Sequence, residues 1–227
     1  MPPLPWWGIR WFWELVADHH HQSSRRGWVR VVYEDQGPSF LINEGDCVLQ
    51  PPQIRHQVLE CAPGLEVVEI TCPAEHETYT ASDFTFPTPE LNPERSFFGQ
   101  RFIRHESKHA VWKTSWLPGF KFRDTSISEG SANFAHVCVL RQAKKSEAFF
   151  HSHEGVLSFF FLLKGAVTLH AAGQHDTRLE EADAFVIPSG LNFAFFDSTD
   201  GLELLEVTLP GQTQFKRHSS MPSPVSR

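Results

Sequence analysis

The chain reads as an all-β protein built from two tandem copies of one β module. Two observations predict this. Short runs of β-branched and aromatic residues recur along most of the sequence, each closed by a Gly- or Pro-containing turn. The second half then repeats the first at a fixed offset of 137 residues (182 − 45). Composition agrees with a packed core, since 41% of residues are apolar, with 20 Phe and 7 Trp. A length of 227 residues suits two domains.

Taken in order, residues 1–26 form an atypical N-terminal segment. Trp6 to Val16 is densely aromatic and Asp18 to Arg26 wholly polar. Neither half alternates, so a short amphipathic helix and an irregular arm are equally open. A first module is expected over 27–86. Trp28–Tyr33, Ser39–Ile42, the run after Gly45-Asp46 and Leu65–Ile70 read as its strands. Prolines recur from Pro73 to Pro93, and residues 87–98 are expected to be a linker. A second module follows over 99–213. Its strands are expected around Gln100–Ile103, Phe120–Phe122, Ala135–Leu140, Ser158–Leu163, Ala166–Leu169 and Ala184–Ile187. Residues 214–227 are polar and read as a flexible tail.

The repeat is ungapped over most of its length. Glu44, Gly45, Asp46 and Pro51 fall on Glu181, Ala182, Asp183 and Pro188. Leu65-Glu66-Val67-Val68-Glu69-Ile70 falls on Leu202-Glu203-Leu204-Leu205-Glu206-Val207. His56 falls on Phe193. Asp46 and Asp183 follow turn positions and are expected to cap those turns.

Several classes are excluded or disfavoured. A net charge of −7 with scattered basic residues argues against nucleic acid or an anionic membrane as partner. No apolar run approaches the roughly 20 residues of a membrane span. Met1 to Gly8 has no charged start or small-residue cleavage site. Cys47, Cys61, Cys72 and Cys138 form no C-x-x-C pair and read as buried free thiols. The expected location is therefore cytoplasmic. No G-x-S-x-G, P-loop or G-x-G-x-x-G occurs.

Two motifs carry a family resemblance. Gly45, five residues, Pro51, four residues and His56 resemble the second motif of the cupin family, with Glu60 where the family has asparagine. His151-Ser152-His153, then Ser158, then Gly165 resembles the first motif, with serine where the family places a metal-binding glutamate. The resemblance implies two cupin-type jelly-roll barrels in tandem, a bicupin. The first barrel is short at its N-terminal end: aligning Gly27 on Gly165 sets Trp13 and Leu15, not histidines, at the positions of His151 and His153. Three readings are open: that barrel is open at this end, the N-terminal segment supplies its strands by another route, or the start of the sequence is shifted or truncated.

The resemblance also implies a divalent metal: Fe, Mn, Ni, Cu or Zn suits imidazole ligands. His151 and His153 are two apart, so on a strand both face the same way. The candidate metal ligands are His151, His153 and His56, with His136, His19 and His21 as partners. His136 alternates with Phe134 and Cys138 and can face inward. At the remaining motif positions, Ser158 is a poor ligand and Phe193 is none. His105 and His109 form a weaker pair, four apart. The Phe159–Phe161 and Phe193–Phe196 runs imply either plain core or an apolar ligand pocket. The expected function is binding of a small molecule beside a partial or degenerate metal site, without need of catalysis. The alternative is a metal-dependent oxygenase or isomerase of a small organic acid. A homodimer is an expected partner state, with the aromatic N-terminal segment as interface.

Overall fold

The structure is a computed structural model that describes residues 12–17, 27–72 and 84–219. The chain divides into two compact units, residues 1–109 with 130–132, and residues 110–129 with 133–227. No helix among the described residues is long and apolar enough to cross a membrane.

The first unit contains β1 (Phe12–Ala17), β2 (Trp28–Tyr33), β3 (Phe40–Asn43), β4 (Cys47–Gln50), β5 (His56–Cys61), β6 (Glu66–Thr71) and β7 (Ile103–His105). They form a four-stranded sheet ordered β6-β1-β4-β7 and a three-stranded sheet ordered β3-β2-β5. Its core gathers Val29, Val31, Tyr33, Ile42, Val48, Ile54, Phe97 and Phe102.

The second unit contains β8 (Trp112–Thr114), β9 (Phe120–Asp124), β10 (His136–Gln142), β11 (Phe150–His153), β12 (Leu157–Lys164), β13 (Val167–Ala171), β14 (Thr177–Leu179), β15 (Ala184–Ile187), β16 (Phe193–Phe196), β17 (Glu203–Leu209) and β18 (Phe215–His218). A six-stranded sheet, β15-β12-β17-β10-β9-β8, accompanies a five-stranded sheet, β14-β13-β16-β11-β18. All named pairs are antiparallel. One core cluster draws on both sheets, with Leu140, Phe160, Leu162 and Leu204 from the six-stranded sheet and Val167, Leu179 and Phe193 from the five-stranded sheet. This is jelly-roll architecture, and the expected all-β, two-barrel class holds.

The repeat is visible in the pairing. β4 and β6 recur as β15 and β17, and the β3-β2-β5 order recurs as β14-β13-β16. The turn device recurs as well. Asp46 Oδ2 accepts the Asn43 N–H at 3.0 Å, and Asp183 Oδ2 accepts the Glu180 N–H at 2.7 Å. Gly45 has φ +79°, and Ala182 keeps that left-handed geometry at φ +71°.

Three expectations change. The aromatic N-terminal stretch contains a strand, β1, paired with β4 and β6. A short apolar run without alternation is ambiguous from sequence, and pairing decides it. Phe12 stands opposite Gln50 and Thr71, as Ser158 stands opposite Ile187 and Thr208. β1 therefore takes the place of β12, and Phe12, not the His20 that aligning Gly27 on Gly165 selects, matches Ser158. Residues 18–27 connect β1 to β2, where Gly165 and Ala166 alone connect β12 to β13. That length difference defeats an alignment anchored on Gly27. The counterpart of the His-x-His strand falls before residue 12, outside the described residues, as do His19 and His21. Finally, residues 215–218 of the expected tail form β18 and pair with β11. Phe215 is the reason, since its ring packs into the core cluster.

Candidate functional site

Antiparallel register sets the inner face of the six-stranded sheet. Thr208 of β17 lies opposite His136 of β10 on one side and Ser158 of β12 on the other. Glu206, one inward position along β17, lies opposite Cys138 and Phe160. Directly opposed residues on one face bring their side chains together. Beyond these rows come Leu140, Leu204 and Leu162, so the barrel is polar at one level and wholly apolar at the next.

Within the polar level His136, Cys138 and Glu206 converge. Their ligand atoms all lie within 4.8 Å of one another. Cys138 Sγ is 3.8 Å from Glu206 Oε1. The indole N–H of Trp116 donates to Glu206 Oε2 at 2.7 Å. Trp116 belongs to the β8–β9 connection, which turns back through Phe120 N–H to the Leu117 carbonyl. The indole stacks on Phe215, ring centres 3.8 Å apart and planes within 10°.

Burial governs the electrostatics. Desolvation pushes the Glu206 carboxyl up to about 7, against the hydrogen bonds from Trp116 and Cys138 that favour its charged form. The Cys138 thiol is raised well above its ordinary value by burial, then by the Glu206 charge. His136 is lowered by burial, with Asp124 acting the other way from 3.9 Å. Its side chain is 23% exposed, which opens the group to solvent on that side.

His151 and His153 are both buried, facing inward from β11 as their spacing implies. They differ in what their rings do. His153 Nε2–H donates to the Ile187 carbonyl at 2.8 Å, and its Nδ1 accepts the Gly155 N–H at 3.1 Å. Both nitrogens are engaged with backbone. His151 bonds the Phe149 backbone, and burial lowers it to about 4. Its Nε2 has no hydrogen-bond partner. The Oγ of Ser158 and Oγ1 of Thr208 are likewise buried without partners. Phe193 is fully buried and packs against Trp116, Phe160, Phe195 and Phe215. Of the four positions named from the resemblance, His151 alone offers a ring nitrogen without a partner.

His56 belongs to the first unit, on β5 opposite Tyr33 of β2, and stacks on that ring with centres 5.3 Å apart. It lies at the exposed strand β5 and is not part of the His136 group. His105 closes β7, and His109 ends a 3-10 turn beside Glu106, so the two share no helix face.

Sequence reasoning missed Glu206 and Trp116, and read Cys138 only as a buried free thiol. Glu206 occupies the repeat position of Glu69, which is exposed on β6. The available signal was a carboxylate set among apolar neighbours, Leu204, Leu205 and Val207, within the Glu203–Leu209 strand. Trp116 sits on a loop, and only tertiary structure turns it inward.

Residues 137–219, within the second unit, match the family model described as a cupin domain. The chain's two-barrel fold is that of known bicupin-like structures. It is similar to salicylate 1,2-dioxygenase from Pseudaminobacter salicylatoxidans, at 14% identity, TM-score 0.57, with 93% of this chain and 70% of that chain covered. It is also similar to a mutant of Bacillus subtilis oxalate decarboxylase, at 15% identity, TM-score 0.60, with 92% and 67% covered. No curated protein sequence matches the chain.

Proposed function

We propose that this cupin binds a small molecule beside a partial metal site formed by His136, Cys138 and Glu206. The convergence of those three ligand atoms within 4.8 Å carries the reading. An imidazole nitrogen, a thiolate and a carboxylate make a donor set suited to Zn2+ and compatible with Fe2+ or Ni2+. Thiolate and carboxylate together balance a divalent charge, which matters where Cys138 and Glu206 are fully buried. A bound ion would supply a Lewis acid for an oxygen-bearing ligand. The chain's own part is to hold the donors, exclude water through the Phe160, Phe193 and Phe215 wall, and leave His136 as the open side.

Elemental analysis of untagged protein, with Zn2+ uptake measured on the metal-stripped chain, tests this. One bound ion is expected, lost in the His136→Ala, Cys138→Ser double variant and kept in the His151→Ala, His153→Ala double variant. The reverse pattern would move the site to the His-x-His pair. Protein that takes up no metal would sink both placements.

A second reading is a metal-dependent oxygenase or isomerase of a small organic acid. What favours it is the fold likeness over more than nine-tenths of this chain to two proteins named for salicylate and oxalate. Oxygen uptake or carbon dioxide release with either acid, on Fe2+- or Mn2+-loaded protein, would support turnover. No turnover, with metal bound, leaves the binding function.

A further inference from the structure

We propose that Trp116 is the positioning residue of this site, holding Oε2 of Glu206 so that the carboxylate meets a metal ion through Oε1 alone. The inference rests on the reading of His136, Cys138 and Glu206 as a metal set, and it adds how the acid binds and what is left open.

The two oxygens of Glu206 have different neighbours. Oε2 accepts the Trp116 indole N–H at 2.7 Å. Oε1 is the oxygen beside Cys138 Sγ, at 3.8 Å. Chelation through both oxygens would require the carboxylate to turn its Oε2 edge toward the ion and away from the indole. The indole does not follow such a turn easily. It is stacked on Phe215 at 3.8 Å between ring centres, with edge contacts to His151 at 5.0 Å and Phe193 at 6.4 Å. Its own loop is fixed by the Leu117 N–H to Ser115 Oγ bond at 3.1 Å. An outer-shell donor of this kind orients a ligating carboxylate and fixes its mode.

The consequence is one donor atom from each residue: N from His136, S from Cys138, O from Glu206. Three single-atom ligands leave one position of a tetrahedral ion for water or a ligand, the pattern of open rather than closed metal sites. Bidentate Glu206 would fill that position instead. Trp116 thereby decides whether the ion has room for anything else.

The test uses Co2+ as probe on the full chain. In Trp116→Phe the ring still stacks on Phe215 but the N–H is gone. Co2+ is expected to bind about 10- to 100-fold more weakly. Its visible bands should weaken as the freed carboxylate chelates, while the near-ultraviolet thiolate-to-cobalt band persists. A folded variant with unchanged affinity and an unchanged spectrum would overturn the proposal. A measurement on wild type stands whether or not the variant folds: the infrared difference spectrum on adding Zn2+, with Glu206→Gln as reference. A monodentate carboxylate signature is expected, and a bidentate one overturns the role of Trp116 while leaving the metal site intact. Wild type that binds neither ion overturns the metal-site reading and this proposal with it.

Discussion

Cys138 and Glu206 face each other across β10 and β17, with Sγ 3.8 Å from Oε1 and both side chains buried. A thiol and a carboxyl in apolar surroundings each keep their proton longer than in water. Burial therefore favours the protonated form of both groups, and the site's responses to pH and to substitution follow.

Glu206 is the clearest case. Its carboxyl titrates near 4.5 in the unfolded chain and near 7 in the folded one. As pH rises through 4.5 the unfolded chain gives up a proton that the folded chain keeps, so stability falls until pH passes 7. The metal-free protein should lose on the order of 3 kcal/mol between pH 4 and pH 8 from this group. Glu206→Gln should remove most of that loss. Urea unfolding of both proteins at pH 5 and pH 8 measures it, and equal slopes for the two would contradict the burial account.

His151 acts on the acid side. Its ring is held near 4 in the fold against 6.5 outside it. Below 6.5 the unfolded chain takes up a proton that the folded chain refuses, so stability falls as pH drops toward 4. His151→Gln should flatten this acid limb while leaving the alkaline limb unchanged. Thermal melts from pH 4 to pH 8 are the check, and an acid limb of wild-type steepness in the variant would point to other groups.

Thr208 gives a packing prediction. Its hydroxyl is buried with no partner, and an orphaned polar group of this kind costs about 1–3 kcal/mol. Thr208→Val keeps the shape and removes the orphan, so it should raise stability by roughly 1 kcal/mol. A loss of that size instead would show that the hydroxyl has a partner such as bound water.

Ala182 offers a backbone test. It stands at φ +71° where Gly45 serves the first module. Left-handed geometry costs a non-glycine residue roughly 1 kcal/mol. Ala182→Gly should recover part of this, offset by the greater freedom of glycine in the unfolded chain. Denaturant titration should show a midpoint at or above that of wild type, and a clear fall would sink the strain argument.

The sequence was informative where physics is local. Turn glycines, Asp46 and Asp183, and alternating strands depend on neighbours a few residues away, and the repeat registers them twice. The inward aim of His151 and His153 was legible from their spacing. Their ring partners were not, because Ile187 and Gly155 reach His153 through register and a tight turn. The His136–Cys138 alternation was visible on β10, but its third member comes from β17 across the sheet, more than 60 residues later. Long-range pairing also explains β1: its register against β4 and β6 is set by hydrogen bonding that no count from Gly27 can reveal.

The central claim is that His136, Cys138 and Glu206 hold a metal ion, and Co2+ titration followed in the near ultraviolet tests it most directly. The account predicts a thiolate-to-cobalt charge-transfer band that saturates at one equivalent. Above pH 7, where Glu206 has already lost its proton, the affinity should rise about tenfold per pH unit as the Cys138 proton is displaced. The band should vanish in Cys138→Ser. Saturable Co2+ binding with no charge-transfer band, or no binding at all, would contradict it.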